Sequence, residues 1–554
     1  MSRSRSPRAL RHLGLAAAAG VILLLLVRLL PTGSGDAPAE RTLRRGNGAE
    51  AETLDPQAAR SEAALTIARD LFEGLTSVGP DGAPLPAAAE RIELSADGLR
   101  YTFHLRTTLR WSNGDAVEAA DFVAAWRRLV DPATAAPYAQ LLSDVRGAEA
   151  IVQRRAQPDT LGVQAPDPRT FAVDLARPTA HFLKLLSHPA TFPLHRAELS
   201  VGSHFAKPGH LISNGAYVVT RWDFGSKIVA ERNRFYWDDA HTRIDRVEYH
   251  ALSQPSAELA AYRAGALDIT STVSMPQLSW IRERLGAELH VSPQLAVYYY
   301  ALNLKSPVFA DSPALRRALS LAIDRDKLVS AITSLGEAPA YGLVPPATQG
   351  FGDAQPQEAA WTPQQRIERA RALLRESKTP IPARIELRYN TGELHARLAL
   401  AVASMWKETL GIETTLRAEE FKVLLSEIER REPDLQVFRA SWIADYDDAH
   451  SFLQLLRTGF GINLPGYSNP AYDAVLDEAN RLTDPAARTL ALQRAQRLML
   501  DDQPVIPLYF YVNKHLVKPR VLGYRDQAMN IQYTKNLGIH DAYPSERFDP
   551  LHDK

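Results

Sequence analysis

The sequence of 554 residues is too long for a single hydrophobic core, so we expect two to four domains. Lys plus Arg and Asp plus Glu number 64 each, so no net field attracts nucleic acid or an acidic membrane surface. The absence of cysteine excludes disulfides, thiolate zinc sites, a cysteine nucleophile and a lipid-modified N-terminal cysteine.

The N-terminus has the pattern of an export signal. Arginines at positions 3, 5, 8 and 11 precede an unbroken apolar run from Leu13 to Val27. This run is longer than most signal cores need but shorter than a full membrane span, and Arg28 interrupts it. A polar linker of small residues follows over residues 31–43. We therefore predict an exported protein in which residues 1–43 are a cleaved signal peptide or a retained anchor, plus linker.

The first half of the chain is predicted to be rich in strands. A helical pattern ends at Gly74, and the Gly-Pro-Asp-Gly sequence of residues 79–82 predicts a turn. An apolar stripe predicts a helix over residues 119–129. Alternation of apolar and polar residues predicts strands over residues 101–106, 214–219, 227–230, 247–252 and 266–269.

The second half is predicted to alternate helices with strands. Helical periodicity covers residues 312–335, 364–375, 393–410 and 485–500. Strands are predicted over residues 385–389, 413–416, 435–440 and 505–511. This alternation is typical of an α/β domain.

Residues 437–447 are the stretch most suggestive of a binding site. The strand pattern enters Ser441 and then gives way to polar residues that include Asp445. Ligands of open α/β sheets lie beyond the carboxyl ends of the strands, where Arg439, Trp442 and Asp445 would supply two opposite charges and a pocket wall. The same acidic residues could instead cap a helix that begins near Phe452.

Motifs for catalysis, metals and cofactors are absent from the sequence. There is no G-x-S-x-G elbow, H-E-x-x-H helix, phosphate loop or dinucleotide-binding G-x-G-x-x-G. None of the spacings between neighbouring clustered histidines is the three or four residues that would place two side by side on a helix, so we predict no metal; these are His181, His188, His195, His204 and His210. His395 opens a predicted helix, where an anion would be favoured, although a surface histidine is the simpler interpretation.

Several blocks, in order, together resemble the periplasmic oligopeptide-binding proteins, which are the extracellular solute-binding family 5 receptors of ATP-driven peptide importers. The similarity extends from about residue 43 to about residue 540. The blocks are Asn47-Gly48, Leu54-Asp55-Pro56, residues 69–75, 103–106 and 111–115, Asp131-Pro132, residues 137–139, 214–217, 232–233, 236–238 and 322–326, and the stretch 437–447.

The resemblance implies an α/β, two-lobed periplasmic binding protein fold of type II with an additional domain, enclosing its ligand between the lobes. Domain I would comprise residues 44–72, 196–295 and 513–554. Domain II would comprise residues 73–195, and domain III residues 296–512.

The resemblance also implies the residues of a peptide site. Asp445 matches the aspartate that pairs with the peptide amine, and Tyr138 matches a tyrosine beside it. The residues matching carboxylate-binding positions are Arg439, Arg430 and His395, and those matching cleft-lining positions are Trp442, Tyr299 and Tyr511. Main-chain groups beside Ser441 and Ile443 would pair with the peptide as an added strand, independently of its side chains.

Three departures from the family pattern matter, and a cysteine pair of some relatives is also absent. Thr333 stands where relatives have a carboxylate-binding lysine, and an acidic cleft residue is replaced near Arg60, where Glu62 could compensate. The segment before Arg430 is longer, so residue 431 could take its place. A cysteine pair of some relatives corresponds to Ala296 and Ile443.

The leading hypothesis is therefore a non-catalytic periplasmic receptor, with no cofactor, that binds short peptides and delivers them to the permease subunits of an ABC transporter. The resemblance favours a monomer that does not bind nucleic acid. Receptors for murein peptides, dipeptides, haem or a nickel chelate are alternatives, although retention of Asp445 argues against metal chelates. A periplasmic peptidase is an alternative of another class, for which the sequence offers no nucleophile or metal site.

Overall fold

A computed structural model describes residues 41–199, 206–207, 209–352, 354–430, 432 and 434–540. The predicted signal or anchor segment lies outside these residues. The strands are β1 Thr42–Gly46, β2 Thr76–Val78, β3 Pro84–Pro86, β4 Ala89–Leu94, β5 Arg100–Leu105, β6 Val163–Asp167, β7 Thr170–Asp174, β8 Tyr217–Asp223, β9 Lys227–Arg232, β10 Arg246–His250, β11 Leu289–Leu302, β12 Ala338–Pro339, β13 Arg384–Asn390, β14 Glu413–Glu419, β15 Val437–Ile443, β16 Val505–Leu516, β17 Val521–Leu522 and β18 Gly538–Ile539.

The helices are concentrated in the second half of the chain. They are Glu62–Leu71, Ala119–Val130, Ala148–Val152, Phe182–Leu185, Arg196–Leu199, Pro255–Arg263, Leu278–Arg284, Pro313–Leu321, Arg325–Leu328, Pro363–Glu376, Glu393–Leu410, Phe421–Arg430, His450–Leu453, Pro470–Arg481 and Pro485–Asp502. Within the described residues, no helix is both long and apolar enough to cross a membrane.

Three sheets of four or more strands organise the described chain. One has the order β1-β10-β9-β8, and a second, antiparallel, has the order β4-β5-β7-β6. The third has the order β12-β16-β11-β15-β13-β14 and is mixed, because β13 runs parallel to β14 and β15 while β11 runs antiparallel to β15 and β16. The predicted α/β character of the second half is confirmed by this mixed sheet and the helices around it.

Strand β11 lies in the middle of the six-stranded sheet, and its sequence explains why. From Leu295 to Leu302 every residue is buried, as expected for a strand covered on both faces. Tyr298 and Tyr300 belong to the apolar cluster on one face, whereas Val297 and Tyr299 belong to the cluster on the other. The run of three tyrosines is therefore divided between two faces by the two-residue period of the strand.

Strands β11 and β16 are long enough to connect two regions of the molecule. They pair from Leu289 opposite Leu516 to Ala301 opposite Val505, with register shifts between Pro293 and Val297 and between Tyr298 and Tyr299. At the far end, Thr270 donates its backbone N–H to Leu516 and so joins β16 to the segment that follows the first sheet. The predicted domain boundaries near residues 296 and 513 both fall inside these two strands.

Most of the predicted elements are present, with ends that differ by a few residues. The helices predicted over residues 119–129, 364–375, 393–410 and 485–500 are confirmed. All four strands predicted in the second half are also confirmed, and β16 continues five residues beyond the predicted end at residue 511. The extension belongs to the connection between regions, which local periodicity does not reveal.

Two predicted elements are wrong. The helix predicted over residues 312–335 is divided into Pro313–Leu321, Arg325–Leu328 and a π-helical turn over Val329–Thr333, because Asp324 caps a new helix by accepting a hydrogen bond from the N–H of Lys327. The strand predicted over residues 266–269 does not form, since only isolated bridges join Ile269 to Arg45 and Val517.

Gly74 does not end a helix as predicted. The helix ends at Leu71 and is followed by Phe72 in an extended conformation. A Cβ atom on Gly74 would lie 2.5 Å from the Phe192 ring and 2.7 Å from the carbonyl oxygen of Leu186. The glycine is therefore needed for close packing between chain segments.

Candidate ligand-binding site

Strand β15 presents an open edge where the predicted site begins. On one side, all seven of its residues pair with β11. On the other, β13 pairs only with Val437 and Phe438, so within the described residues no strand pairs with this edge from Arg439 to Ile443. Exposure rises along the strand, and Ile443 is 56% exposed. An unpaired strand edge can accept an extended chain through main-chain hydrogen bonds.

Asp445 follows this open edge and has no counter-charge. Its carboxylate is half-buried, and within the described residues no cation forms an ion pair with it. Burial raises the pKa of Asp445 to about 7. Its backbone N–H donates to the Ser451 hydroxyl at 3.3 Å. This hydrogen bond fixes the backbone at Asp445. No described cation neutralises the half-buried carboxylate, and such burial is costly unless a cation arrives.

Tyr138 lies in the same region, as the sequence predicted. Burial and the nearby Asp445 charge raise the pKa of its phenol to about 12, so the hydroxyl stays protonated. The Tyr138 ring packs against the His188 ring with 4.3 Å between centroids. His188 is itself buried, and burial lowers the pKa of its imidazole to about 3. Neither group brings a positive charge to Asp445.

The alternative in which Asp445 caps a helix is wrong. The nearby helix is His450–Leu453, and it is Asp448 that accepts a hydrogen bond from the His450 N–H, at 2.9 Å. Asp448 also receives two hydrogen bonds from Arg488, at 2.8 and 2.9 Å. Asp448 thus performs both the capping and the ion pairing in this segment, which leaves Asp445 available.

A second cluster, cationic and aromatic, lies around Arg439. The Arg439 guanidinium lies over the Tyr298 ring at 4.9 Å and donates to Tyr511 Oη at 3.2 Å and to Asn390 Oδ1 at 3.4 Å. Tyr298 Oη is 3.2 Å from His395 Nδ1. Within the described chain no carboxylate contacts Arg439, and its Nε is buried without a hydrogen-bond partner.

His395 belongs to this second cluster in its neutral form. Burial, followed by the positive charge of Arg439, lowers the pKa of His395 to about 4. The arrangement of Arg439, His395 and Tyr511 therefore offers one permanent positive charge together with hydrogen-bonding groups. An Arg without a carboxylate partner is suited to bind a ligand carboxylate through two parallel hydrogen bonds.

The strand register places the predicted cleft residues on two faces. Arg439 and Ser441 lie opposite Tyr300 and Tyr298 on one face of the sheet. Trp442 shares the other face with Val297 and packs against the cluster that contains Tyr299. Trp442 is partly exposed and donates to the Ser451 hydroxyl at 3.3 Å, whereas Tyr299 is only 4% exposed.

Arg430 is not brought to either cluster. It ends the helix Phe421–Arg430 on the surface, where it pairs with Glu432 at 2.8 Å and donates to Ser426 at 2.7 Å. These contacts give no support to a role for Arg430 in carboxylate binding, and residue 431 lies outside the described residues. The segment before Arg430 is longer than in relatives, so the sequence alone does not decide whether residue 430 or 431 matches the arginine of the family.

The positions that depart from the family pattern have local structural roles. Thr333 is buried in the π-helical turn and donates its hydroxyl to the Val329 carbonyl at 3.1 Å. Glu62 pairs with Arg69 at 3.3 Å. Ala296 and Ile443 lie directly opposite each other in the pairing of β11 with β15, the geometry that cross-strand partners require.

Sequence reasoning missed Tyr298 and Asn390. Both contact Arg439, yet Tyr298 is one of three consecutive tyrosines. The strand register places Tyr298 and Tyr300 on the face of Arg439, and the guanidinium lies over the diagonal neighbour Tyr298. Asn390 ends β13 and precedes the helix that carries His395, so its position after a predicted strand was the available signal.

An α/β fold with an open strand edge, and with an anion and a cation that have no oppositely charged partner among the described residues, is the arrangement expected of a solute-binding protein. The family model for bacterial extracellular solute-binding proteins, family 5, middle region, matches residues 83–463. The chain belongs to this family.

Characterised relatives cover nearly the whole chain. The periplasmic oligopeptide-binding protein OppA of Escherichia coli is 37% identical over 94% of this chain and 98% of its own length. The probable deoxycholate-binding periplasmic protein YgiS of the same organism is 38% identical over 93% of this chain and 98% of its own length.

Solved structures of other proteins have a fold similar to that of this chain. The Haemophilus influenzae OppA complex with the peptide RPPGFSPFR has a TM-score of 0.79 and 35% identity, covering 90% of this chain and 99% of the other. The Escherichia coli murein tripeptide-binding protein MppA has a TM-score of 0.80 and 34% identity, with the same coverage.

Proposed function

We propose that this protein is the periplasmic substrate-binding receptor of an ABC importer and that its ligands are short peptides with a free amino terminus. Asp445 is the observation that carries the proposal, because it is a half-buried carboxylate to which no described cation is paired. A peptide ammonium would supply the missing charge and remove the cost of burying the anion alone.

The rest of the peptide would follow the open edge of β15. Main-chain pairing along residues 439–443 recognises what all peptides share, which is consistent with little selectivity for side chains. Trp442 is partly exposed beside this edge. The ligand carboxylate would pair with Arg439, assisted by Tyr511 and by the neutral His395. Arg430 has no assigned role.

A bile-acid ligand, suggested by the likeness to YgiS, fits these charges less well. Deoxycholate carries a carboxylate that Arg439 could bind, but it has no amine for Asp445. Its steroid would bury that carboxylate without a partner, which is expected to cost several kcal/mol. A murein peptide or a dipeptide retains an amine and remains compatible with the Asp445 site. The preferred length of the ligand is therefore a matter for binding measurements.

Titration calorimetry at pH 7.5 tests the proposal. Trialanine to pentaalanine should bind, whereas N-acetylated trialanine and deoxycholate should bind far more weakly. Asp445→Ala should cost on the order of 2–5 kcal/mol of binding free energy for the free peptide and little for the acetylated one. Glu283→Ala, at an exposed position, is the matched control. Equal affinity for free and acetylated peptides would contradict the role of Asp445.

Three further parts of the proposal follow from the receptor role. The protein would act as a monomer, deliver its ligand to permease subunits in the inner membrane and leave the peptide intact. Mass spectrometry after long incubation with pentaalanine tests the last point, because any shortened peptide would indicate a peptidase. Mass spectrometry of co-purifying ligands would report their length and composition directly.

A further inference from the structure

The segment that carries Asp445 also contacts the region of the four-stranded sheet β4-β5-β7-β6. His181 lies in the segment after β7. Its ring stacks on the rings of Tyr446 and His450, which lie in the segment after β15. The centroid of the His181 ring is 5.1 Å from that of Tyr446, with an interplanar angle of 4°, and 4.2 Å from that of His450, with an angle of 22°. All three residues are buried.

Ionic and backbone contacts surround this stack. The Lys184 ammonium donates to the Asp447 carbonyl and lies 3.7 Å from an Asp448 oxygen. The hairpin between β2 and β3 also packs here, because a Cβ atom on Gly82 would lie 2.6 Å from the Asp447 carboxylate. The two residues that follow Asp445 are thus held by chain segments of the predicted domain II, residues 73–195.

The hydrogen-bond contacts of His450 suit a neutral ring. Gln454 donates its side-chain N–H to Tyr446 Oη at 3.1 Å, so the Tyr446 hydroxyl is free to donate to His450 Nδ1 at 3.0 Å. A proton on that nitrogen would displace the donated hydrogen bond. The other ring nitrogen faces the amide of Asn480 at 3.4 Å. For His181, Nδ1 is buried with no hydrogen-bond partner among the described residues.

Among the described residues, the two carboxylates whose charge acts on His181 and His450 are Asp144 and Asp448, and each already faces a basic side chain. Arg177 pairs with Asp144, and Lys184 and Arg488 both face Asp448. Asp447 accepts from the Gln349 N–H at 2.8 Å and, like the ligand site Asp445, has a pKa raised by burial. Burial lowers the pKa of His181 to about 3 and that of His450 far below its ordinary value.

We propose that the contact of His181 and Lys184 with residues 446–450 is a proton-sensitive latch, which holds the lobes closed over the amine end of the ligand and opens when the two histidines are protonated. This inference rests on the proposed function for the identity of the ligand, but the latch itself does not need a ligand to be tested. His181 and Lys184 are positioning residues, since they act on Asp445 through residues 446–448.

The direction of the effect follows from proton linkage. When the lobes separate, the two imidazoles reach water and regain a pKa near 6.5. The contribution of the two neutral histidines to the stability of the closed state is therefore fully present above a pH of about 6.5. It is lost as the pH falls below that value. At pH 5.5 each histidine would shift the equilibrium toward the open state by about tenfold.

Energy transfer between two dyes measures this closure. The chain has no cysteine, so Glu90→Cys on β4 and Leu400→Cys on the helix Glu393–Leu410 give unique labelling sites at exposed positions. Transfer is recorded from pH 8 to pH 5, without ligand and with saturating trialanine. The variants are His181→Gln with His450→Gln, His181→Gln alone, and the exposed control His241→Gln.

We expect the wild type and the His241→Gln control to open between pH 7 and pH 5.5, and the double variant to lose this transition. Identical pH profiles in the wild type and the double variant would overturn the latch. If circular dichroism shows that the double variant is unfolded, the single variant decides, because it should keep a shallower transition that involves one proton. Absence of peptide binding together with a normal closure profile would reject only the proposed function.

Discussion

Asp445 and Asp448 lie close together in the chain, yet their surroundings shift their pKa values in opposite directions. Asp445 is half-buried, no cation among the described residues pairs with it, and burial raises its pKa to about 7. Asp448 is also buried, which opposes ionisation, but the two hydrogen bonds and the charge of Arg488 hold its pKa well below the ordinary range. Asp448 is therefore a structural anion, whereas Asp445 has no cationic partner among the described residues and is available to bind a cationic ligand.

The pKa of Asp445 predicts how peptide affinity depends on pH. The peptide ammonium, which has a pKa of about 8, binds the ionised carboxylate, so affinity is highest between about pH 7 and pH 8 and falls as the pH drops below 7, approaching tenfold per unit. Calorimetry with trialanine from pH 8 to pH 5 measures this slope. Asp445→Asn should bind more weakly and lose its share of the pH dependence. A wild-type affinity that is unchanged between pH 7.5 and pH 5.5 would contradict the prediction.

At the scale of single elements, the break in the helix predicted over residues 312–335 is the most informative. Apolar periodicity continues through the break, so the pattern alone favours one long helix. The tertiary structure instead buries the Arg325 guanidinium, which donates to the carbonyls of Ser320, Ala340 and Pro507. Asp324 then starts a new helix, whose first residue is Arg325.

The Asp324 cap has a measurable contribution to stability. Asp324→Ala removes the acceptor for the Lys327 N–H and should lower the free energy of unfolding by about 1 kcal/mol. Urea unfolding followed by circular dichroism measures the change. Asp311→Ala, at an exposed position just before the helix Pro313–Leu321, should have little effect. Equal loss of stability in both variants would mean that the cap is not the cause.

At the scale of the whole molecule, β11 and β16 connect the region of the first sheet with the six-stranded sheet. Their register shifts lie between Pro293 and Val297 and between Tyr298 and Tyr299, close to the residues that face Arg439 and Ile443. The strands that connect these two regions therefore also contribute residues to the candidate site. Ligand binding and the stability of the closed molecule are expected to be coupled for this reason.

This coupling predicts stabilisation by ligand. Trialanine at one hundred times its Kd should raise the free energy of unfolding by about 2.7 kcal/mol, since it binds only the folded protein. Thermal unfolding at pH 7.5 measures the rise in Tm. N-acetylated trialanine at the same concentration should leave the Tm unchanged, and so should free trialanine added to Asp445→Ala. A similar rise with the acetylated peptide would show that the amine does not contribute.

Prediction from the sequence succeeded where the information is local. The helix over residues 393–410 and the strands near Arg439 have clear periodicity, and their existence required no tertiary knowledge. It failed at Gly74, where the reason for a glycine is a contact with Phe192, far away in the chain. For the site, the resemblance named Asp445 and Arg439, but the contact of Arg439 with Tyr298 depends on strand register.

The sequence by itself determined the α/β class, the family and the residue types of the candidate site, because periodicity and ordered motifs are written along the chain. Only the tertiary structure decided that Asp445 has no cation among the described residues while Asp448 has one, that Arg430 lies on the surface, and that His181 stacks on His450. These outcomes depend on which distant segments meet, and burial and charge pairing at such contacts cannot be deduced from local pattern.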